Sequence, residues 1–174
     1  MNQIFLHYGF NESRGIAANL VSAKESRKAG TPQHLAAIVF IAFTYESALN
    51  HLGQLALSSF EEHFERLSPE AKLNLLSDHA GLKPDFSNSP YQSFVAVFKI
   101  RNALAHLRQT EMKVSNEVLK QPKKWPRPIW MSQARGLDAA RTLADLDKVI
   151  QQLEVALNIT LPPRFILTEL RAKA

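Results

Sequence analysis

Apolar residues recur at helical spacing along most of the chain. The pattern predicts helices over residues 12–28, 32–59, 69–80, 91–107 and 138–157. Thr31 and Ser68 are each followed by proline, which is typical of helix starts because the hydroxyl caps the first turn and proline suits the first helical position. Asn11 can cap the first helix in a similar way. Three prolines between residues 109 and 136 predict an irregular segment there.

The fold class that this pattern predicts is all-α, because no segment alternates between apolar and polar positions as a strand does. With 174 residues, of which 45% are hydrophobic, the chain is long enough to bury the core of one domain. We expect a single-domain bundle of about five helices over residues 1–162, followed by a tail or short helix over residues 163–174.

The composition excludes several classes of chemistry. The chain contains no cysteine, which rules out disulfides, thiolate catalysis and cysteine-ligated metal sites and fits a reducing compartment. Its longest unbroken apolar run, residues 35–43, has nine residues, well short of the ~20 that a membrane-spanning helix needs. The first residues lack the basic start and long apolar stretch of a signal peptide. We therefore expect a soluble, cytoplasmic protein without membrane contact.

Positive charge is concentrated in one segment. Residues 99–135 hold nine basic and two acidic residues, a net charge of +7, whereas the whole chain carries +5 and the remainder therefore −2. A positive segment on a slightly negative body favours an anionic partner, of which nucleic acid is the commonest. The alternative is a basic loop that is simply solvated.

Two charged residues lie on helix faces that are otherwise apolar. At about 100° per residue, Arg101 falls in the apolar stripe of the fourth predicted helix and Glu46 in that of the second. Because an unpaired charge facing a core is costly, we predict a Glu46–Arg101 ion pair at the centre of the bundle, with Asn50 helping to satisfy it. A purely structural pair is the alternative. Since buried ion pairs stabilise less well than apolar packing, retaining one favours a functional role.

His106 is the other candidate for chemistry. It follows Arg101 by five positions, about 140° around a helix, so the two side chains do not converge easily on one ligand. Asn102 and His106 are four positions apart and share a face, where the amide can hydrogen-bond the imidazole and fix its tautomer. The other histidines show no spacing that would form a metal site, and no phosphate-binding glycine loop or nucleophile elbow occurs. We therefore expect no metal and no cofactor.

Residues 101–106, Arg-Asn-Ala-Leu-Ala-His, resemble the Arg-x4-His signature of the HEPN superfamily, whose members are small all-α domains. Many of these domains are metal-independent ribonucleases of prokaryotic toxin–antitoxin and phage-defence systems. Residues 43–52 resemble the family's earlier helix, which often carries an acidic or polar residue facing the motif. Residues 68–72 resemble a short helix that some members place between the two. The resemblance covers roughly residues 30–107.

The resemblance implies a homodimer in which both motifs line one cleft and cleave RNA without a metal, leaving 2′,3′-cyclic phosphate ends. In that reaction His106 would act as acid or base and Arg101 would hold the phosphate. Glu46 would orient Arg101, and Asn102 would orient His106, with Asn50 in support. An antitoxin protein is a further partner that such systems imply.

The basic segment supplies candidate RNA contacts. Residues 120–130 mix four cations with two tryptophans, a combination that suits phosphates and unpaired bases. The candidates are Arg108, Lys123, Lys124, Trp125 and Arg127. Arg108 also stands where family members modified by a nucleotidyltransferase carry tyrosine, so we do not expect that form of regulation. Two alternatives stay open: the tryptophans clamp the proline-rich loop onto the bundle, or the protein is a non-catalytic RNA- or nucleotide-binding or dimerisation module.

Overall fold

The computed structural model describes residues 8–24, 28–106, 120 and 129–161. Within these ranges the chain forms six α-helices and one π-helical turn, and no β-strand. They are α1 (Tyr8–Ser22), α2 (Pro32–Ala56), the π-helical turn (Phe60–Phe64), α3 (Pro69–His79), α4 (Tyr91–Ala105), α5 (Ile129–Arg135) and α6 (Ala139–Leu157). The prediction of an all-α fold is confirmed for this part of the chain, whereas the expected number of helices was too small. The expected tail over 163–174 lies outside the described residues.

Side-chain caps start two of the helices where the sequence predicts them. Thr31 Oγ1 accepts a hydrogen bond from the backbone N–H of His34 at 3.2 Å, which begins α2. Ser68 Oγ accepts one from the N–H of Ala71 at 3.2 Å, which begins α3. Both caps satisfy backbone donors that have no partner within the helix, so these starts are fixed locally.

Two other local predictions were wrong, and one element had no prediction at all. α1 begins at Tyr8, so Asn11 lies inside this helix and does not cap it. α5 (Ile129–Arg135) lies in the segment expected to be irregular, so that prediction was wrong for these residues. The π-helical turn was not foreseen. It places the ring of Phe60 so close to α2 that a Cβ on Gly53 would lie 2.1 Å from a ring carbon.

α2 is the central helix, and α1, α3, α4 and α6 all pack against it. Its fully buried side chains form the middle of the apolar core: Ile38, Ile41, Tyr45, Leu49 and Leu52. By length and mean hydropathy (1.4) α2 would also qualify as a membrane-spanning helix, and 56% of that apolar window is buried inside the bundle. Core packing thus gives its composition one explanation, and the expectation of a soluble cytoplasmic protein stays a prediction.

Aromatic side chains hold α4 against α2. The ring centroid of Tyr45 lies 5.1 Å from that of Phe94 and 6.2 Å from that of Phe98, and the two α4 rings are 4.7 Å apart. Aromatic contacts are directional as well as apolar, so they set how the two helices face each other. As a result Glu46, the residue after Tyr45, faces Arg101 of α4.

Candidate functional site

The Glu46–Arg101 ion pair predicted from the sequence is present. Nη2 of Arg101 donates a hydrogen bond to Oε2 of Glu46 at 2.5 Å. The prediction that this ion pair lies at the centre of the bundle was wrong, because the Arg101 side chain is 26% exposed and the Glu46 side chain is 29% exposed. Long charged side chains can lie along apolar surface while the charged end reaches solvent, which a helical projection does not show. The pair therefore borders solvent, where a ligand can reach it.

Two further groups hold the guanidinium of Arg101. Its Nη1 donates to Oδ1 of Asn102 at 2.9 Å, and its Cζ lies 6.0 Å from the ring centroid of Phe43. Phe43 is 43% exposed and in turn makes an edge contact with Phe40. These contacts use part of the N–H donors of the guanidinium. Arg101 is thus fixed in direction and, within the described residues, keeps donors for an anion.

The predicted role of Asn102 is corrected by these contacts. Its side-chain oxygen accepts from Arg101 and does not orient His106. His106 is the C-terminal cap of α4, with φ −117° and ψ 41°, so the backbone leaves helical geometry at this residue and the expected four-residue spacing no longer applies. The His106 imidazole is exposed and makes no hydrogen bond to the described residues.

Asn50 also differs from its predicted role, because it does not satisfy the ion pair. Its Oδ1 accepts a hydrogen bond from Nζ of Lys72 in α3 at 2.6 Å. Lys72 is 2% exposed. Burial lowers the pKa of its ammonium group, and the negative charges of Glu46 and Glu65 act in the opposite direction. Glu46 therefore lies within electrostatic reach of two cations, Lys72 and Arg101.

The sequence does carry a signal for Lys72. α3 buries Leu73 and Leu76 on the same side as Lys72, so this lysine, like Arg101 and Glu46, is a charge on an apolar helix face. The pattern that identifies Arg101 and Glu46, a charged residue on an apolar helix face, therefore identifies Lys72 as well.

The candidate RNA contacts of the basic segment cannot be placed beside this site. Arg108, Lys123, Lys124, Trp125 and Arg127 all lie outside the described residues. Their proposed contacts with RNA remain predictions.

Other polar clusters in the described chain have structural explanations. The buried carboxylate of Asp145 accepts hydrogen bonds from Ser89 at 3.0 Å and Ser93 at 2.6 Å, beside the N-terminus of α4, where a negative charge is favourable. Buried His34 uses both ring nitrogens: one accepts from the N–H of Gly30 at 3.3 Å, and the other lies 2.9 Å from the carbonyl oxygen of Leu137. Among the residues that the structure describes, no group of three or more acidic or histidine side chains could hold a metal ion.

A cavity of about 690 Å³ lies between the ends of α1 and α2 and the turn that joins α5 to α6. His34, Arg135 and Leu137 are among its lining residues, and neither Glu46 nor Arg101 is. His34 is the buried polar side chain among the lining residues, and it already has partners for both ring nitrogens. The candidate site is therefore the partly exposed cluster around Arg101.

Comparison with known proteins adds no relative: the chain matches no protein-family model, no curated protein and no solved structure.

Proposed function

We propose that this protein is a metal-independent endoribonuclease of the HEPN type. The observation that carries the proposal is the partly exposed guanidinium of Arg101, held by Glu46 and Asn102 five positions before an exposed His106. An arginine with a fixed direction and remaining donors can bind a phosphodiester. An exposed imidazole can transfer protons near neutral pH.

The proposed reaction uses both side chains. His106 removes the proton of a ribose 2′-hydroxyl, whose oxygen then attacks the adjacent phosphorus. The bond from phosphorus to the 5′-oxygen breaks as that oxygen takes up a proton from a second imidazolium or from water. Arg101 stabilises the negative charge that builds on the phosphoryl oxygens. The products are one RNA with a 2′,3′-cyclic phosphate and one with a 5′-hydroxyl.

A homodimer is part of the proposal. No hydrogen bond among the described residues joins Arg101 to His106 of the same copy; a second copy that brings its own imidazole to the guanidinium would complete the site. The exposed ring of Phe43 beside Arg101 supplies apolar surface for such pairing. The setting, a toxin–antitoxin or phage-defence system with an antitoxin protein, is proposed from the resemblance alone.

A non-catalytic RNA- or nucleotide-binding or dimerisation module is the second candidate, and one observation favours it. No described residue orients the imidazole of His106, because the amide oxygen of Asn102 is bonded to Arg101. A general base without an orienting partner is a weak catalyst, whereas the same Arg101 can still bind a phosphate.

The experiment that separates the two candidates is incubation of the purified protein with mixed RNAs in EDTA. The ribonuclease proposal expects cleavage with 2′,3′-cyclic phosphate ends by the unaltered protein and no cleavage by His106→Ala. His79→Ala is the matched control, because His79 is also an exposed histidine at the end of a helix and is far from the site in sequence. Binding without cleavage would select the module, and full activity of His106→Ala would contradict the ribonuclease assignment.

A further inference from the structure

Three helices bring an unusual set of charges together next to Arg101. α2 contributes Glu46 and, one turn later, Asn50; α3 contributes Lys72; α4 contributes Arg101. The carboxylate of Glu46 is bonded to Arg101 and also attracts Lys72, whose Nζ is fixed by Asn50 at 2.6 Å. Glu46, Lys72 and Arg101 sum to one positive charge when all three are ionised, and the exposed Glu65 also acts on Lys72 from outside this cluster.

Packing does not require the charge of Lys72. The side chain is 2% exposed, and a methionine of similar length would fill the same space without the desolvation cost of an ammonium group. Replacing buried charges by apolar side chains is often neutral or stabilising. An explanation for this lysine must therefore come from what its charge does to its neighbours.

We propose that Lys72 is a positioning residue of the Arg101 site, which attracts Glu46 and so keeps Arg101 available to bind the phosphate of RNA. With Lys72 present, Glu46 is shared between two cations and does not fully neutralise Arg101. Without Lys72, the Glu46–Arg101 pair is locally neutral and attracts a phosphodiester less strongly. Because Lys72 is buried, it acts through Glu46 and does not touch the substrate. This inference rests on the proposed function.

The test replaces the buried polar pair as a unit. In the double variant Lys72→Met/Asn50→Leu neither the donor nor the acceptor is left unpaired, so we expect the protein to fold with a Tm equal to or above that of the unaltered protein. We expect kcat/KM for RNA cleavage in EDTA to fall about tenfold or more, which corresponds to the loss of one favourable charge interaction with the transition state. Binding of an oligonucleotide that cannot be cleaved, because its 2′-hydroxyls are replaced by hydrogen, should weaken in parallel.

Two control variants isolate the effect. Lys83→Met removes one positive charge from an exposed loop position, and we expect no change in kcat/KM. Leu76→Ala leaves a cavity in the same helix as Lys72, so we expect a lower Tm with kcat/KM unchanged below the unfolding transition. If the unaltered protein cleaves RNA and the double variant cleaves and binds equally well, Lys72 is a packing residue and this inference is wrong while the proposed function stands. If the unaltered protein binds the oligonucleotide without cleaving RNA, the proposed function is wrong and equal binding by the double variant would overturn this inference too; if it neither cleaves nor binds RNA, both are wrong.

Discussion

The Glu46–Arg101 pair should make unequal contributions when each partner is removed alone. Glu46→Gln removes the ion-pair partner of Arg101 and one of the two carboxylates that act on Lys72, whereas Arg101→Met leaves Glu46 within electrostatic reach of Lys72. Removing one partner of a fully buried ion pair lowers the free energy of unfolding by about 3–5 kcal/mol. A fully exposed ion pair contributes less than about 1 kcal/mol. With roughly a quarter of each side chain exposed, intermediate costs apply: about 2 kcal/mol for Glu46→Gln and about 1 kcal/mol for Arg101→Met.

A double-mutant cycle measures the coupling between the two side chains. The free energy of unfolding of the single and double variants would be obtained from urea denaturation followed by far-UV circular dichroism, which reports on the helices. We expect the double variant to lose less than the sum of the single losses, with a coupling of about 1 kcal/mol that decreases at high salt. Additive losses, or a greater loss for Arg101→Met than for Glu46→Gln, would refute the shared-carboxylate arrangement.

Two further substitutions test the core, and a third, at an exposed glycine, is the contrast to one of them. Tyr45 is fully buried with no hydrogen-bond partner for its hydroxyl among the described residues, and burial, with Asp145 and Asp147 adding to it, raises its pKa well above 10.0. Because tyrosine then ionises first in the unfolded chain, stability should fall as pH rises above 10.0, and urea denaturation across pH 8–11 should show a smaller fall in Tyr45→Phe. Gly53→Ala should lower the free energy of unfolding by about 1–3 kcal/mol, because the added Cβ displaces the Phe60 ring. Gly15→Ala lies at an exposed helix position with open space and should raise the free energy of unfolding by about 0.5–1 kcal/mol. Equal Tm values for the two glycine variants would contradict the packing of Phe60 on Gly53.

The helices and the ion pair could be predicted from the sequence because both depend on local periodicity. The sequence itself shows the capping residues Thr31 and Ser68. Placing successive residues about 100° apart around a helix shows that Glu46 and Arg101 are charges on apolar faces. Periodicity does not reveal how far a side chain reaches, so the exposure of the pair was missed. It also does not rank competing partners, so Asn102 was assigned to His106 although the guanidinium is the stronger donor for its amide oxygen.

Other features depend on contacts between elements. The π-helical turn brings Phe60 against Gly53. No local sequence pattern predicts this contact. The bond from Lys72 to Asn50 joins two helices in the same way. The sequence therefore predicts Glu46 and Arg101 of this site, whereas the contact of Lys72 with Asn50 is found only from the packing of the helices.

The role of Arg101 in holding the phosphate during metal-free cleavage is tested by comparing the cleavage rate of Arg101→Lys in EDTA with that of the unaltered protein. Lysine keeps the positive charge and loses the planar fork that bonds Glu46 and Asn102 together. We expect a folded variant whose rate falls by about a hundredfold, since misplacing a phosphate-binding group costs that much. An equal rate in both proteins would contradict this role of Arg101.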